Sequence, residues 1–192
     1  IFRVLTLPPW IIPMAIGIFM WGWMYNGEFG MISGLLQEFH FVDHPVPWLA
    51  YGNTAFWATL VTDTWIGVPL VTLYFLAAIQ SIPKDLYEAA QVDGAGAWHK
   101  FTRITVPLLV PAMLVALVFR YIFAFRIFSE VWLLTGGGPA RSTEGLAVYL
   151  YRQAFRYSDF GAAAATGWLM LLASLLMGAW YIWQMYKRMF SR

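Results

Sequence analysis

The residues of this chain that have the types and spacing for chemistry fall into three groups. The stretch DLYEAAQVDGAG, residues 85–96, places Asp85, Glu88 and Asp93 on one short segment, directly after a lysine. Two histidines flank an aspartate in HFVDH, residues 40–44, and three consecutive glycines occupy residues 136–138. These groups suggest three kinds of site: a docking surface for another protein, a metal site and a phosphate site.

The histidine pair is a weak candidate for a metal site. His40 and His44 lie four residues apart with Asp43 between them. Zinc sites need three or four protein ligands, and the surrounding loop offers no third strong ligand pattern. We therefore predict that this chain binds no metal.

The glycine run does not have the pattern of a nucleotide-binding loop. Such a loop reads G-x-x-x-x-G-K-[ST], and no Gly-Lys pair occurs anywhere in this chain. Pro139 follows the run and has no N–H to donate to a phosphate. We expect a turn at this point, no catalytic residue and no cofactor bound by this chain.

The composition indicates a membrane protein. Hydrophobic residues make up 60% of the 192 residues and charged residues only 11%, whereas soluble domains carry about 25% charged residues. Many of the 11 tryptophans stand near the ends of apolar runs, where amphipathic rings favour the lipid headgroup level. The net charge of +2 is too small to argue for nucleic acid.

Four apolar windows have the length that a bilayer requires, about 20 residues. They predict an all-α integral membrane protein, a polytopic helical bundle with four spans. We name the windows segment a, about Phe2–Tyr25, segment b, about Thr54–Ala78, segment c, about Val106–Leu134, and segment d, about Gly161–Tyr186. Segment d is rich in Gly and Ala, which favour close helix contacts within one bundle or with another chain.

Basic residues set the expected orientation. The connection between segments b and c contains Lys84, Lys100 and Arg103, whereas the connection between a and b has no Lys or Arg. The C-terminus is also basic, so we place both it and the b–c loop in the cytoplasm. The c–d connection must then be external, although it holds three arginines, Arg141, Arg152 and Arg156.

Ionisable residues inside the spans are costly and face a partner or a polar cavity. Asp63 in segment b and Arg126 in segment c lie at similar predicted depths, and Arg120 lies deeper. One interpretation is an Asp63–Arg126 or Asp63–Arg120 pair that fixes two helices. The other is a polar translocation path, and both can hold at once.

The charged stretch is expected to form a compact cytoplasmic knob. Pro83 suits a helix first turn, Lys84–Asp93 is predicted as a short helix, and Gly94 suits its end because glycine accepts left-handed geometry. A second short helix, about Ala97–Ile104, is predicted to stop before Pro107. Either the knob docks a soluble protein, or it is an ordinary solvated turn.

The same stretch resembles the EAA loop of binding-protein-dependent ABC importer permeases. The matching residues are Glu88, Ala89 and Ala90, then Asp93, Gly94 and Ala95, and then Phe101, Ile104, Pro107 and Pro111. AAIQSIPKDLYEAAQVDGA is similar to the carbohydrate permeases of the maltose-permease type. LLTGGGPARSTEGLAVYLYRQAF, residues 133–155, resembles the MalF-like half of such pairs.

The resemblance implies a single permease domain over residues 1–192, with a cytoplasmic coupling loop at residues 80–106. In that family the loop docks on a separate ATPase subunit, which binds ATP and Mg²⁺. Glu88 would contact the ATPase, Gly94 would form the turn, and Ala89 and Ala90 would pack closely. The implied partners are a second, MalG-like permease subunit, two ATP-binding subunits, an external solute-binding protein and a sugar.

The resemblance also implies a sugar path at the middle of the prokaryotic cytoplasmic membrane. Its positions correspond to Gly67 and Leu70 in segment b and to Arg120, Phe123, Ala124 and Ile127 in segment c. The segment c positions are spaced so that they would share one face of a helix. Because the family core has six helices, we expect the chain to begin inside a longer product, with two N-terminal helices missing.

Two other functions are alternatives to an importer subunit. A stand-alone secondary transporter for a small polar solute would need inverted repeats and a coupling-ion site, and the sequence has no evident internal symmetry. An integral membrane enzyme would need clustered histidines or carboxylates, for which the only candidate is the weak pair at His40 and His44.

Overall fold

The computed structural model describes residues 8–190, except for the side chains of residues 185 and 188–190. Every regular element in this range is helical. In chain order the helices are α1 Pro8–Ile11, α2 Met14–Met24, α3 Met31–Glu38, α4 Gly52–Gln80, α5 Lys84–Val92, α6 Ala97–Phe125, α7 Ser129–Thr135, α8 Leu146–Tyr151 and α9 Phe160–Phe190. A π turn, Arg152–Arg156, continues α8.

The chain divides into two compact units. The first contains residues up to Pro69 together with Phe123–Ala173, and the second contains Leu70–Ile122 together with the residues from Ser174 onward. The boundaries fall inside α4, α6 and α9, so each of these long helices contributes residues to both units.

Three helices are long and apolar enough to cross a membrane, namely α4, α6 and the 25 described residues Phe160–Gln184 of α9. The predictions for segments b and d are thus confirmed as helices. Three threonines of α4 satisfy their hydroxyls within the helix: Thr59, Thr62 and Thr64 donate to carbonyls four residues back, at 2.7–2.9 Å.

Segment a is interrupted in the part that the structure describes, as its prolines predict. Helix α1 ends at Ile11, and α2 begins after Pro13, whose ring cannot continue a helix. The 11 residues of α2 measure only about 16 Å, roughly half of a hydrocarbon core of about 30 Å. Residues 2–7 of segment a lie outside the described residues, and the fourth span stays a prediction.

Segment c begins earlier than predicted. The second short helix of the b–c loop does not stop before Pro107 but runs into the span, so that α6 extends without interruption from Ala97 to Phe125. The π turn Phe101–Thr105 makes this possible, because the Val106 N–H bonds to the Phe101 carbonyl, five residues back. This wider turn ends just before Pro107, which has no N–H to continue an α-helical ladder.

Segment c also ends earlier than predicted, since it is not one helix to Leu134. Helix α6 ends at Phe125, residues 126–128 are not helical, and the separate helix α7 follows. The last turn of α6 is tight, because the Arg126 N–H bonds to the Phe123 carbonyl, three residues back, at 3.1 Å. Glu130 in the first turn of α7 suits a helix start, because the positive end of the helix dipole favours it.

The core of the first unit forms around Tyr25. Its hydroxyl donates to the Ala58 carbonyl at 3.0 Å, which ties the end of α2 to α4. Trp21 stacks on Tyr25 at 5.4 Å and meets Trp65 edge-on at 5.8 Å. Helix α2 also packs against α7, so this unit is held by contacts between elements far apart in sequence.

Candidate functional site

The charged stretch forms the predicted short helix and ends it at Gly94. Helix α5 spans Lys84–Val92, with Asp93 as its C-cap. The Ala95 N–H bonds to the Ala90 carbonyl at 2.8 Å, and the Gly94 N–H bonds to the Gln91 carbonyl at 3.1 Å. This bonding pair is a Schellman motif, which requires left-handed geometry at the glycine position. Gly94 has φ +76°, so the predicted role of this glycine as a helix end is confirmed.

The glycine is needed for its backbone conformation and not for space. A Cβ atom on Gly94 would meet no atom within 4 Å. Pro83 lies one residue earlier than expected, at the N-cap of α5, with ψ 133°. Its fixed φ still suits the entry to a helix.

The outer surface of this loop is exposed and partly apolar. Glu88, Ala89 and Asp93 are exposed, and Ala90 is half-buried. Val92 and Trp98 are 89% and 76% exposed, respectively. The surface of this loop therefore offers apolar as well as acidic side chains.

A hydrogen bond fixes α5 to the start of α6. The Tyr87 hydroxyl lies 2.9 Å from the Thr105 hydroxyl, at the last residue of the π turn. Between the two helices is a cavity of about 470 Å³, lined by residues that include Asp93, His99 and Arg103. Helix α5 and the first residues of α6 therefore form a corner, residues 84–105, which is held by this hydrogen bond and has the acidic side chains of α5 exposed.

Asp63 and Arg126 have different environments. Asp63 is buried on α4, where it is 9% exposed, and the neighbouring Thr62 is fully buried. Arg126 is exposed and stands in the break after α6. It lines a cavity of about 320 Å³ together with Phe128, Ala147, Leu150, Tyr151 and Met170. The Asp63–Arg126 and Asp63–Arg120 pairs stay predictions.

The predicted sugar-path residues are distributed over both compact units. Gly67, Phe123, Ala124 and Ile127 belong to the first, and Leu70 and Arg120 belong to the second. Phe123 is 57% exposed. Ile127 lies in the break beyond the last residue of α6, so the helical face predicted for segment c extends to Ala124 but does not include Ile127. A common path stays a prediction.

The glycine run forms a turn whose N–H groups are used internally. Gly136 closes α7 with φ +60°, and its N–H bonds to the Trp132 carbonyl. The N–H groups of Gly137 and Gly138 bond to the Thr135 hydroxyl and carbonyl at 3.2 and 3.0 Å, respectively. Since all three donors are occupied, this turn is not arranged to cradle a phosphate.

A buried carboxylate holds two of the three arginines of the c–d connection. Glu144 accepts from Arg141 at 2.8 and 3.0 Å and from Arg152 at 2.5 Å. Arg152 also donates to the Gly136 carbonyl at 2.5 Å. The hydrogen bonds to Glu144 raise the pKa of Arg141 above its usual value. Two of the charges that conflict with an external loop are therefore part of a structural cluster.

Sequence reasoning missed this cluster, the break at residues 126–128 and a group of aromatic rings beside the break. The rings are those of Phe128, Trp132, Tyr151 and Phe155, with neighbouring centroids 4.7–5.8 Å apart. One available signal was Ser129-Glu130, because an acidic residue in a first turn marks a helix start. Glu144 and Arg152 are eight residues apart in the sequence, a spacing that no simple helix or turn pattern predicts.

The fold defines a class of protein. Long apolar helices, polar side chains bonded to their own backbone, and a set of short helices at the connections together make a multi-pass α-helical membrane protein. The family of binding-protein-dependent transport system inner membrane components matches residues 1–186, and the chain belongs to this family.

Individual relatives agree with the family. A probable ABC transporter permease protein of Brucella suis is 38% identical over 180 residues, which cover 94% of this chain and 62% of the relative. The trehalose/maltose transport system permease protein MalF of Thermococcus litoralis is 38% identical over 165 residues, which cover 86% of this chain and 55% of that protein. The chain thus spans about three fifths of the length of such relatives.

A solved structure shares the fold. The chain matches a bacterial alginate ABC transporter, solved in complex with an alginate pentasaccharide-bound periplasmic protein, with a TM-score of 0.84 and 26% identity. The match covers 93% of this chain and 62% of that one. The predicted all-α polytopic membrane fold and the predicted family are both confirmed.

Proposed function

We propose that this chain is a membrane-spanning permease subunit of an ATP-driven importer for a sugar or oligosaccharide. It forms half of the translocation path together with a second, MalG-like permease subunit. Two ATP-binding subunits, which carry ATP and Mg²⁺, supply the energy, and an external solute-binding protein delivers the sugar. The chain itself carries out no chemical step.

Family membership supports the importer subunit, and the names of relatives support the sugar. One relative is a trehalose/maltose permease and another is a sulfoquinovosyl glycerol permease. The solved relative is an alginate transporter. These substrates are all saccharides or glycosides, so a saccharide is the substrate class that we propose for this chain.

The observation that carries the coupling proposal is the hydrogen-bonded corner between α5 and α6, residues 84–105. Its exposed Glu88, with Ala89 beside it, offers an acidic and apolar surface to an ATPase subunit. The Schellman motif at Gly94 and the hydrogen bond between Tyr87 and Thr105 join this helix firmly to the beginning of α6. A movement imposed on α5 is thereby transmitted to a membrane-spanning helix.

The proposed orientation places α5 and the C-terminus in the cytoplasm and residues 135–160 outside. The basic residues of the b–c loop support this arrangement, and the pairing of Arg141 and Arg152 with Glu144 lowers the free positive charge of the outer connection. The sugar path runs past Gly67, Leu70, Arg120, Phe123, Ala124 and Ile127.

The test is reconstitution of the importer in vesicles. The tagged chain, purified from membranes in mild detergent, should carry an ATPase subunit and a second permease with it. Vesicles with ATP and Mg²⁺ on the ATPase side should accumulate labelled saccharide only when the loaded binding protein is on the other side. Uptake driven by an ion gradient without ATP would instead support the secondary transporter.

A further inference from the structure

The two arginines that pair with Glu144 differ in their exposure to solvent. The Glu144 side chain is 4% exposed, that of Arg152 is 15% exposed and that of Arg141 is 62% exposed. Two guanidinium groups thus serve one buried carboxylate, and only one of them is buried with it. The cluster carries one positive charge in excess of its negative charge.

The buried arginine is sufficient to keep Glu144 paired. Arg152 donates an N–H from one terminal nitrogen to Glu144 and an N–H from the other to the Gly136 carbonyl, so it bridges these two residues. A buried carboxylate needs a partner because a lone buried charge is strongly unfavourable. With Arg152 in place, Arg141 can move away from Glu144, and the buried carboxylate still has a cationic partner.

The backbone at Arg141 has an unusual conformation. Ala140 and Arg141 have φ +49° and +65°, in the left-handed region that residues other than glycine rarely adopt. Such strained residues concentrate at functional sites. The Arg141 guanidinium lies 5.8 Å from the centre of the Tyr149 ring.

The surroundings of Arg141 fit a protein partner better than a small ligand. The depression lined by Arg141, Glu144, Gly145, Leu146 and Tyr149 has a volume of about 210 Å³, whereas small-molecule sites enclose about 300–1,000 Å³. Arginine and tyrosine are enriched at the centres of protein interfaces. Leu146 adds an apolar side chain that is 47% exposed.

We propose that Arg141 docks an acidic side chain of the external solute-binding protein. On docking, the guanidinium passes from Glu144 to a carboxylate of the partner, while Arg152 keeps Glu144 paired. A planar guanidinium suits this exchange because it binds carboxylates through two parallel hydrogen bonds. The inference rests on the proposed function, which places this connection outside and provides the partner.

The experiment uses the whole importer complex in lipid nanodiscs. The importer's own binding protein, loaded with a saccharide that it binds in calorimetry, is titrated while ATP hydrolysis is measured. Arg141→Gln should raise the half-stimulating concentration of binding protein at least tenfold and leave the maximal rate unchanged. It should also weaken the dependence of that concentration on salt. Arg156→Gln, an exposed arginine of the same connection, should match wild type.

Several results would overturn the proposal. The first is wild-type behaviour of Arg141→Gln. The second is an equal loss of affinity in Arg156→Gln, which would mean that only the net charge of the connection matters. A change only in the saccharide concentration required, at saturating binding protein, would identify the ligand as the saccharide. A clear fall in the melting temperature of the Arg141→Gln complex would show that Glu144 needs Arg141, and the exchange would not occur. A wild-type complex that ignores the binding protein would instead reject the proposed function.

Discussion

The hydroxyl of Tyr87 lies 2.9 Å from the hydroxyl of Thr105. Tyr87 is in the middle of the short acidic helix α5, and Thr105 is the last residue of the π turn that leads into the apolar part of α6. This bond joins two helices that the sequence separates by the turn at Gly94. It links the exposed loop to a membrane-spanning helix in addition to the backbone connection at residues 93–96.

Loss of this bond should loosen the coupling. Tyr87→Phe removes one hydroxyl and keeps the ring, and we expect it to cost about 1 kcal/mol of stability. Saccharide transported per ATP should fall, because α5 can then move without moving α6. The measurement is the ratio of uptake to ATP hydrolysis in vesicles. Tyr74→Phe, which keeps the ring contact with Phe119 at 5.9 Å, is the control, and an equal effect in both variants would reject the link.

The left-handed geometry at Gly94 gives a second prediction. Gly94→Val should lower the free energy of unfolding by at least about 1–2 kcal/mol, because a β-branched residue is strained at positive φ. Gly94→Asn should cost less, since asparagine tolerates this region. Space is not the cause, as a Cβ atom at Gly94 meets nothing within 4 Å. Binding of the ATPase subunit and thermal unfolding should rank the variants as glycine, asparagine, valine, and equal losses would contradict a conformational origin.

Charge reversal at Glu88 tests the proposed ATPase contact. In the proposed contact Glu88 meets a basic residue of the ATPase subunit, so Glu88→Lys would place two like charges together and weaken the binding free energy by several kcal/mol. We expect the ATPase subunit either to dissociate or to hydrolyse ATP without responding to loaded binding protein. Insertion into the membrane should be normal. Glu38→Lys makes the same charge change on the exposed end of α3 and should have no such effect. Normal assembly, uptake and stimulation in Glu88→Lys would reduce α5 to a solvated turn.

The partner of buried Asp63 is open to a double-mutant test. Asp63→Ala should destabilise the complex, because loss of one member of a buried ion pair costs about 3–5 kcal/mol. Adding Arg126→Ala or Arg120→Ala should restore part of this loss for the arginine that pairs with Asp63. Thermal unfolding in detergent measures the recovery. If neither double variant recovers stability, the pair hypothesis fails and a direct role in the path gains support.

Membrane orientation can be measured with single cysteines, since the chain has none of its own. Val92→Cys lies on α5 at a position 89% exposed, and Glu38→Cys lies at the end of α3. A reagent that cannot cross membranes should label Val92→Cys only from the cytoplasmic side and Glu38→Cys only from outside. Labelling of both from one side would contradict the arrangement, because α4 lies between them.

Local rules predicted the elements whose signals lie close together in the sequence. The end of α5 followed from a glycine after a short amphipathic run, and the long apolar helices α4 and α9 followed from length and composition. Each of these signals needs only neighbouring residues. For the same reason the glycine run at residues 136–138 was correctly predicted to be a turn.

Three other features were not predictable in this way. Pro107 is ordinarily read as a helix boundary, but the π turn before it lets α6 continue. The break at residues 126–128 occurs in an apolar stretch, where hydropathy alone favours one long span. Arg152 bonds both to Glu144, eight residues away, and to the Gly136 carbonyl, 16 residues away, so this pairing is a tertiary property.

The π turn in α6 has a consequence for the angular phase of the helix. An α-helix advances about 100° for each residue, so one extra residue would ordinarily rotate everything beyond it. A π turn absorbs such a residue locally. Removal of one residue from Phe101–Thr105 should therefore leave an ordinary α-helix, with α5 and the apolar part of α6 facing nearly the same directions as before. This segment is a place where the length of the chain can change without turning the membrane-spanning face away from its neighbours.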